Sequence, residues 1–361
     1  DLQRKGISFQ TNSDCEIFLN LVSTSKCVTL IEKIKDACQQ IVGAYSIVLL
    51  SDNKLFGIKD KHAVKPLCIG KIGSSYVFAS ESCALDTINA EYIREVKPGE
   101  IIEINKEVSE TGNLKSEFFG ITNTTYHCVQ EYIYFSKPES TIFGFLVDKV
   151  KRKLGKNLAK ERPAPTADLE DRKVIIISVP DSSNTLALGY ATESVKTTFY
   201  VKLEQALIRN HYGNYINKAF TEKGLHVRLK YSAIHSIIKG RIVCLIEDSI
   251  VGGTTIKRLT KLIKECEPKE IHLRITSAPV TNICHYGMEF PQKKDLIINQ
   301  FDGNLTKLKE YLEVDSIEFL SLEMLHDSLP KSENDSVNIQ YCDACLTGNY
   351  PIPINNTDQS T

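Results

Sequence analysis

The feature that most constrains the fold is the stretch RIVCLIEDSIVGGTT, which covers residues 241–255. An uninterrupted apolar run, Ile242–Ile246, is typical of a strand that is buried on both faces of a parallel sheet. The run ends in two adjacent acids, Glu247 and Asp248, and small residues then lead into an amphipathic helix predicted over 256–266. Ligands of such sheets bind at the carboxyl ends of the strands, so a binding site is predicted at the two acids.

The small residues after the acids are typical of a loop that binds phosphate. Gly252 and Gly253 let backbone N–H groups approach an anion, and the following helix N-terminus adds a favourable dipole. The hydroxyls of Thr254 and Thr255 are further donors. Carboxylates repel phosphate, so the acids are better suited to ribose hydroxyls or to a magnesium ion. The stretch resembles the phosphoribosylpyrophosphate (PRPP) motif of the type I phosphoribosyltransferases, and an ordinary strand–turn–helix with surface acids is the alternative.

A P-loop is a further class of phosphate-binding loop, but its lysine is absent from this stretch, which argues against that NTPase class.

A second candidate anion site follows the apolar run Val174–Val179, where the chain continues Pro-Asp-Ser-Ser. The hydroxyls of Ser182 and Ser183, together with free amides at the start of a helix predicted over 185–194, are suited to an anion. A simple helix cap explains the same residues when they are taken alone. PRPP requires two anion sites, one for its 5′-phosphate and one for its pyrophosphate.

Composition narrows the class of protein. A chain of 361 residues is long enough for two domains, and a 42% hydrophobic content is sufficient for a full core. The net charge of −1 argues against nucleic acid as a partner. No apolar run approaches the roughly 20 residues that span a bilayer, and no signal peptide is visible, so we predict a cytoplasmic protein with no membrane partner. Eleven cysteines are then typical of cytosolic thiols or metal ligands rather than of a disulfide framework.

The order of apolar runs predicts two different structural units. Strands joined by short turns, which indicate antiparallel sheet, are predicted over 41–50, 54–58, 67–69, 76–80 and 100–104. A short strand is predicted over 132–135 and a basic amphipathic helix over 143–161, after which strands and helices alternate as in a parallel α/β domain with right-handed crossovers. We therefore predict domains at 1–115 and 116–330, followed by a C-terminal segment at 331–361 that ends in a polar tail.

Residues along nearly the whole chain resemble those of the amidophosphoribosyltransferases, which are also called glutamine PRPP amidotransferases. In the N-terminal part the resemblance is carried by Phe9–Asp14, Gly43–Tyr45, Lys65–Leu67, Ala79–Asp86 and Val96–Glu100. In the C-terminal part it is carried by Glu131–Phe135, Val179–Ser182, Glu247–Val251 and Tyr286–Gly287. The resemblance implies a mixed α/β and α+β fold, in which a partial N-terminal-nucleophile (Ntn) glutaminase sandwich precedes a type I phosphoribosyltransferase domain with a parallel sheet.

The resemblance also implies an activity, the first committed step of de novo purine biosynthesis. Ammonia from glutamine displaces pyrophosphate from PRPP and gives 5-phosphoribosylamine and glutamate, which makes such an enzyme a glycosyltransferase (pentosyltransferase). Asp14 is implied as the residue that holds the α-amino group of glutamine, and Mg²⁺ as a ligand of Ser183, Glu247 and Asp248. The implied PRPP-binding residues are Ser182, Ser183, Glu247, Asp248, Ser249, Gly252, Gly253, Thr254 and Thr255. Homo-oligomers and feedback inhibition by purine nucleotides are implied as well.

Four cysteines are candidate ligands of a metal centre. Cys342 and Cys345 form a CxxC motif, Cys284 follows a predicted core strand, and Cys128 lies at the bridge between the predicted domains. By count, four thiolates suit zinc or an iron–sulfur cluster equally, and two unligated thiols are the alternative for the CxxC motif. The resemblance implies a 4Fe-4S cluster at these four positions. The remaining cysteines are predicted to pack as small hydrophobic side chains, and they are Cys15, Cys27, Cys38, Cys68, Cys83, Cys244 and Cys266.

The chain departs from the family pattern at several points. The catalytic cysteine, the glutamine-binding arginine and the Asn-Gly oxyanion hole are expected to precede Asp1, so we expect an N-terminally incomplete chain that does not hydrolyse glutamine as it stands. The family has Arg where Gly252 stands, and Asp more often than Glu at position 247.

The loop that covers PRPP in the family is also different here. The corresponding segment, Ile208–Ile216, is shorter and less basic, and Arg209, Lys218 and Arg228 are the remaining candidates for phosphate contacts. These departures leave open a catalytically inactive paralogue that binds PRPP or a nucleotide as a regulator. A salvage phosphoribosyltransferase that uses a free base is a third hypothesis, against which the glutaminase-like N-terminal part argues.

Overall fold

The structure is a computed structural model, and it describes residues 2–120, 122–166, 174–198, 200–210, 230–288, 292–331 and 338–354. The strands are β1 (Ser46–Ser51), β2 (Lys54–Lys59), β3 (Cys68–Ile72), β4 (Ser75–Ala79), β5 (Glu91–Glu95), β6 (Glu100–Ile104), β7 (Lys115–Phe118), β8 (Thr124–Cys128), β9 (Thr141–Ile142), β10 (Phe145–Leu146), β11 (Val174–Ser178), β12 (Val201–Leu203), β13 (Leu207–Arg209), β14 (Tyr231–Ala233), β15 (Ile242–Glu247), β16 (Glu270–Ile275), β17 (Ser316–Phe319) and β18 (Asn338–Cys342). The α-helices are Asp14–Thr24, Leu30–Gln40, Ser82–Thr87, Lys106–Thr111, Val147–Glu161, Asn184–Ser194, His235–Ile238, Thr254–Lys264, Ile297–Gln300, Leu305–Leu312, Leu322–Ser328 and Ala344–Thr347.

The N-terminal part is built from two antiparallel sheets, with strand orders β1-β2-β6-β7 and β4-β3-β5. This confirms the antiparallel sheet predicted from the sequence. Ser13 caps the first helix by accepting a hydrogen bond from a backbone N–H, and Thr29 begins the second helix with a capping box. Both helices pack on the larger sheet through a shared core that contains Phe18, Ile34 and Phe56.

The strand predicted over 41–50 begins later than expected. In the structure β1 starts at Ser46, which lies opposite Lys59, the last residue of its partner β2. The ladder ends there because the partner strand ends, and residues 41–45 form a loop instead. Ile41 and Val42 are apolar, and their apolar character does not indicate where the partner strand β2 ends.

The segment predicted as a strand over 132–135 is a π-helix, Glu131–Phe135, so that prediction is wrong. The N–H of Ser136 donates to the carbonyl of Glu131 at 2.9 Å, which is the i→i+5 bond of this helix type. Glu131, Tyr132 and Ile133 are all buried, which the alternating faces of a half-exposed strand would not allow.

The helix predicted over 143–161 also begins later, at Val147. The short strands β9 and β10 pair with each other just before it. They are joined by a turn in which Phe143 and Gly144 have φ values of 51° and 83°. Positive φ values are incompatible with a right-handed helix, and the helix therefore starts only after this turn.

The C-terminal part contains a five-stranded parallel sheet in the order β12-β11-β15-β16-β17. The central strand β15 contributes Cys244 and Ile246 to the core on one face and Val243 and Leu245 to the core on the other. This confirms the parallel α/β prediction and explains the uninterrupted apolar run. Among the described helices, none is long and apolar enough to cross a membrane.

Two helices on one face of the sheet approach each other through glycines. A Cβ atom added at Gly155 would lie 2.0 Å from the carbonyl oxygen of Leu186, and one added at Gly189 would lie 2.2 Å from that of Arg152. This backbone-to-backbone contact fixes the helix Asn184–Ser194, whose N-terminus follows the candidate anion loop at Ser182 and Ser183.

We predict that Gly155→Ala lowers the free energy of unfolding by about 2 kcal/mol or more, because a methyl group at this crossing forces the two backbones apart. Urea denaturation measures the change. Gly120→Ala is the matched control, since its added Cβ would meet only the end of Lys61 at 4.0 Å. Equal stability of the two variants would contradict the prediction.

Candidate active site

The carboxyl end of β15 holds two adjacent acids, Glu247 and Asp248, which we call the acidic tip. Asp248 is 2% exposed, and the hydroxyl of Ser249 donates to its Oδ1 at 2.6 Å. The hydroxyl of Ser183 donates to Glu247 Oε2 at 3.3 Å. Burial raises the pKa of both carboxyls, and the neighbouring Asp248 raises the pKa of Glu247 further. Buried acids of this kind are suited to a cation or to ligand hydroxyls, because either one compensates for the water that they have lost.

The loops after β11 and β15 lie side by side because these two strands are adjacent and parallel. The N–H of Val179 donates to the carbonyl of Ile246 at 3.0 Å, which extends the ladder into the first loop. The structure thereby brings Ser182 and Ser183 next to the acidic tip. Burial raises the pKa of Asp248, and a hydrogen bond from Ser182 opposes that effect.

Both loops lead into helices that begin without a side-chain cap. In the described part of the chain, neither Ser183 nor Gly253, the two N-cap residues, provides a side-chain capping bond. The hydroxyl of Ser183 contacts Glu247 instead, which argues against the alternative that this serine is simply a helix cap. Thr254 and Thr255 form the first turn of the second helix, which contains no acidic residue. Two uncapped helix N-termini beside one acidic tip are suited to two anionic groups.

The two glycines of the second loop have different roles. Gly253 has a φ of 74°, and an added Cβ would lie 2.0 Å from Ile297 Cδ1, so only glycine fits there. At Gly252 no atom lies within 4 Å of an added Cβ, so the backbone there accepts a side chain.

Three positively charged side chains lie near the two loops and interact with their acidic residues. Arg209 Nη1 donates to Asp181 Oδ2 at 2.8 Å, which joins β13 to the Pro-Asp-Ser-Ser loop. Lys230 interacts electrostatically with Glu247, and Lys151 with Asp248. Sequence reasoning named Arg209 but missed both lysines, because neither lies within a recognisable motif. Lys218, Arg228 and most of the loop Ile208–Ile216 lie outside the described residues.

A cleft of about 1560 Å³ lies in the N-terminal part, away from the acidic tip. Its lining includes Asp14, Gly43, Lys65 and Glu81, which come from four separate motifs of the N-terminal part, and also Tyr286. Asp14 is exposed at the first residue of its helix. The structure thus collects along one cleft residues that are far apart in the sequence.

Three of the four candidate metal ligands meet in one small core, and Cys345 packs in the large core on one face of the parallel sheet. Cys128 and Cys342 lie opposite each other in the parallel pair β8 and β18, and Cys284 packs against the same cluster. The amide of Gln130 donates to Cys345 Sγ at 3.5 Å. Burial raises the pKa of the Cys128, Cys342 and Cys345 thiols to about 12. Among the described residues, no group of three or more His, Cys, Asp or Glu side chains is arranged to hold a metal ion.

The other seven cysteines only partly follow the prediction that they pack as small hydrophobic side chains. Cys38, Cys68, Cys244 and Cys266 are buried, as predicted. The prediction is wrong for Cys15, which is exposed near the start of the first helix, whereas Cys27 and Cys83 are partly exposed. All eleven cysteines are free thiols.

Comparisons with known proteins relate this arrangement to one family. A family model described as a glutamine amidotransferase domain matches residues 1–87. The amidophosphoribosyltransferase of Bacillus subtilis is 36% identical over 357 residues, which are 98% of this chain and 70% of the relative. The chain belongs to the amidophosphoribosyltransferase family. The chloroplastic amidophosphoribosyltransferase 2 of Arabidopsis thaliana is also 36% identical, and this chain spans 59% of its length.

Two solved structures match the fold of this chain closely. A Bacillus subtilis glutamine PRPP amidotransferase complexed with ADP and GMP has a TM-score of 0.86 at 34% identity, over 98% of this chain and 74% of that one. A structure described as the allosteric regulatory enzyme of purine biosynthesis has a TM-score of 0.84 at 33% identity, over 98% of this chain and 72% of that one. The predicted fold class is confirmed: an Ntn glutaminase part precedes a phosphoribosyltransferase-type part with a parallel sheet.

Within this amidophosphoribosyltransferase fold, Asp60 ties the glutaminase part to the cysteine cluster. Asp60 is 1% exposed and accepts hydrogen bonds from the backbone N–H groups of Tyr45, His62 and Val64. The carbonyl of Val64 in turn accepts from the N–H of Cys128 at 3.1 Å. Burial raises the pKa of Asp60 to about 6, although the three N–H donors oppose the shift.

We predict that Asp60 makes stability depend on pH. The pKa in the folded state, about 6, lies above the ordinary value of 3.8, so the stabilising contribution is fully present below pH 3.8 and is lost as the pH rises through about 6. Between pH 7 and pH 4, the free energy of unfolding of the wild type should rise by roughly 2 kcal/mol relative to Asp60→Asn. Urea denaturation at several pH values measures this, with the exposed Asp86→Asn as the control. A difference that stays constant from pH 7 to pH 4 would contradict the prediction.

Proposed function

We propose that this member of the family is an amidophosphoribosyltransferase that catalyses the first committed step of de novo purine biosynthesis. Ammonia derived from glutamine would displace pyrophosphate from PRPP and give 5-phosphoribosylamine. The observation that carries the proposal is the acidic tip, the partly exposed Glu247 and the buried Asp248, beside two helix N-termini without a side-chain cap. One anion site takes the 5′-phosphate, the other takes the pyrophosphate, and the acids between them take the ribose hydroxyls.

Each group around the tip has a defined part in binding PRPP. The backbone N–H groups and hydroxyls of Thr254 and Thr255 bind the 5′-phosphate at the N-terminus of their helix. Gly252 and Gly253 keep the loop close enough for backbone contacts, and Ser249 holds the Asp248 carboxylate in place. Ser182 and Ser183 face the pyrophosphate at the start of the neighbouring helix.

The chemistry needs charge stabilisation rather than a protein nucleophile. The C1–O bond of PRPP breaks, its electron pair leaves with pyrophosphate, and the ammonia nitrogen bonds to C1 and then loses a proton. Positive charge develops on the ribose ring, and the two buried carboxylates stabilise it in a low-dielectric site. The helix N-termini stabilise the negative charge of the leaving pyrophosphate.

A magnesium ion fits the same residues. Glu247, Asp248 and Ser183 provide oxygen atoms, the donors that Mg²⁺ prefers, and the raised pKa of both buried carboxyls favours a ligand of positive charge. When bound, Mg²⁺ neutralises charge on the pyrophosphate. Ser183 already holds Glu247 through a hydrogen bond and so keeps two of these donors together.

The N-terminal cleft supports a glutamine site in the glutaminase part. Asp14 at its rim would hold the α-amino group of glutamine, and Lys65 and Glu81 line the same space. The proposed domain limits are 1–115 for the glutaminase part and 116–330 for the transferase part, with the C-terminal segment at 331–361.

The residues that would hold a 4Fe-4S cluster are Cys128, Cys284, Cys342 and Cys345. Cys128 and Cys342 face each other on paired strands, and their thiols are buried together with that of Cys345. A bound cluster cross-links the segments that carry its ligands and thereby adds to stability. The pairing of β8 with β18 brings two of these cysteines, Cys128 and Cys342, next to each other.

The remaining parts of the proposal concern partners and location. The related Bacillus subtilis structure is a complex with ADP and GMP, which supports purine nucleotides as feedback inhibitors of this protein. A homo-oligomer and a cytoplasmic location complete the proposal, and the eleven free thiols are consistent with a reducing compartment.

The acidic tip provides the direct test. Asp248→Asn and Glu247→Gln should each lower ammonia-dependent release of pyrophosphate from PRPP at least about tenfold, because a neutral amide does not stabilise the developing positive charge. Phosphate detection after pyrophosphatase treatment measures the rate, at a high ammonium concentration so that glutamine hydrolysis is not required. Glu310→Gln, at an exposed acid of the same part, is the control.

The outcomes of this test separate the alternatives. Turnover by the wild type that both tip variants lose supports the transferase. PRPP binding without any turnover would favour the inactive regulatory paralogue, and turnover with a free purine base in place of ammonia would favour a salvage enzyme. Full activity in both tip variants would overturn the assignment of the acids.

The cysteine cluster has a separate test. Cys342→Ser should abolish the broad visible absorbance of anaerobically purified protein and lower its iron content, because the cluster loses one of its four ligands. Cys15→Ser, at an exposed cysteine outside the cluster, should leave both unchanged. Zinc in place of iron in the wild type would contradict the cluster assignment.

A further inference from the structure

The loop 137–146, which we call the clamp loop, precedes the helix Val147–Glu161 and is bound by the glutaminase part. One carboxylate oxygen of Glu81, Oε2, accepts two hydrogen bonds from this loop. The backbone N–H of Lys137 donates to it at 2.9 Å, and the hydroxyl of Ser140 donates to it at 2.7 Å. Ser140 is completely buried, and a hydrogen bond to a carboxylate is stronger than one between neutral groups, so this contact holds the loop firmly.

Glu81 and its neighbour Ser82 begin a short helix, Ser82–Thr87, but their side chains bind the clamp loop. In the part of the chain that the structure describes, Glu81 is the N-cap residue and makes no side-chain capping bond. The buried hydroxyl of Ser82 accepts a hydrogen bond from the backbone N–H of Thr141 at 2.8 Å. Polar side chains at the start of a helix usually bond to that helix, so two that bind a distant segment instead indicate a specific contact between the two parts.

A second contact with the glutaminase part holds the turn of the clamp loop. Phe143 is buried in this turn with a φ of 51°, which is an uncommon conformation for an aromatic residue. Lys59 Nζ lies 5.1 Å from the centroid of the Phe143 ring and 3.1 Å from Glu95 Oε2. The backbone N–H of Phe143 donates to Glu95 as well. An unfavourable backbone conformation persists only where its surroundings fix it, and here those surroundings include the glutaminase part.

The clamp loop in turn supplies the N-terminal cap of the helix Val147–Glu161. Among the described residues, no side chain caps this helix at its N-cap position. The N–H of Val147 donates instead to the carbonyl of Ser140, and the N–H of Asp148 donates to the carbonyl of Pro138, both at 2.9 Å. The first N–H groups of a helix require such partners. The serine whose hydroxyl binds the glutaminase part therefore also begins the helix through its carbonyl.

This helix reaches the candidate site through one close contact. It crosses the helix Asn184–Ser194 at Gly155 and Gly189, where the two backbones leave no space between them. Ser183 immediately precedes the second helix, and its hydroxyl donates to Glu247 Oε2 at 3.3 Å. Because protein interiors are close-packed, the position of the first helix constrains that of the second.

We propose that Glu81 is a positioning residue for the transferase site: by holding the clamp loop on the glutaminase part, it fixes the start of the helix Val147–Glu161 and thereby the anion loop at Ser182 and Ser183. Glu81 acts through Ser140 rather than through the ligand. The inference rests on the proposed function in so far as that ligand is PRPP. It implies that the glutaminase part supports the transferase site even when ammonia is supplied from solution.

The first experiment measures hydrogen exchange and needs no ligand. Glu81→Ala should speed exchange of the Val147 and Asp148 amides at least about tenfold, because the loop carbonyls that accept from them are no longer held in place. NMR of the intact chain measures both amides. Glu81→Gln keeps an acceptor oxygen and should restore most of the protection. Asp86→Ala, at an exposed acid of the same short helix, is the control and should leave both rates unchanged.

The same spectra show whether the effect extends to the second helix. The amide of Ala187 donates to the carbonyl of Ser183 at 2.9 Å, in the first turn after the anion loop. If Glu81 positions this loop, Glu81→Ala should speed exchange of the Ala187 amide as well. Asp86→Ala should not.

The second experiment separates positioning from a general loss of stability. Calorimetry with PRPP and magnesium should show binding about fivefold weaker in Glu81→Ala and in Ser140→Ala, a size typical of changes remote from the ligand. The double variant should bind about as well as either single variant, because both changes remove the same contact. Independent structural damage would instead add the two losses. The melting temperature of each variant confirms that folded proteins are compared.

The outcomes distinguish the failure of each proposal. If the wild type does not bind PRPP, the proposed function fails, and the exchange of the Ala187 amide still tests the positioning role of Glu81. If the wild type binds PRPP but Glu81→Ala leaves the affinity and the Ala187 exchange unchanged, the inference is overturned, even where the Val147 amide exchanges faster. Additive losses in the double variant would overturn it too.

Discussion

The candidate site depends on two adjacent carboxyl groups, the partly exposed Glu247 and the buried Asp248, at the end of a strand that is itself covered on both faces. The strand β15 lies in the centre of the parallel sheet, so its last residues are surrounded by neighbouring loops rather than by water. Burial there raises the pKa of Glu247 and Asp248, and Ser182, Ser183 and Ser249 stabilise them through hydrogen bonds. A pair of acids held in this way is suited to a ligand that supplies hydroxyl groups or positive charge, and the two helix N-termini beside it are suited to phosphate.

The same region links the two parts of the chain. Glu131 in the π-helix forms an ion pair with Lys65 of the glutaminase part at 2.9 Å, and Ile133 in the same π-helix accepts a hydrogen bond from Lys151 of the transferase part. Glu81 of the glutaminase part accepts a hydrogen bond from Ser140 at 2.7 Å. Helices with the i→i+5 pattern are often found at functional sites, and this one lies between the proposed glutamine cleft and the acidic tip. These contacts join the two parts of the chain through the π-helix and its neighbours.

The sequence predicted the sheet types, the central strand and the loops of the acidic tip, because each depends on local patterns of apolar, acidic and small residues. It did not predict the π-helix or the late start of the helix at Val147. An apolar and aromatic run such as Tyr132–Phe135 fits a strand equally well, and the turn with positive φ at Phe143 has no sequence signature of its own. The burial of Lys151 could not be predicted from the sequence either. Its helix is amphipathic and contains several lysines, and only the packing of the helix shows which of them is buried.

The sequence by itself determined that a buried strand ends in two acids followed by a glycine-containing loop and a helix, since residue type and spacing fix those local preferences. Only the tertiary structure decided which distant groups surround them. Lys151 lies almost 100 positions before Asp248, and Cys128 lies far from Cys342 in the chain, yet sheet register and helix packing place the members of each pair in one neighbourhood. Long-range contacts of this kind arise from how whole elements pack, and the burial that they create sets the charge of the groups in the site.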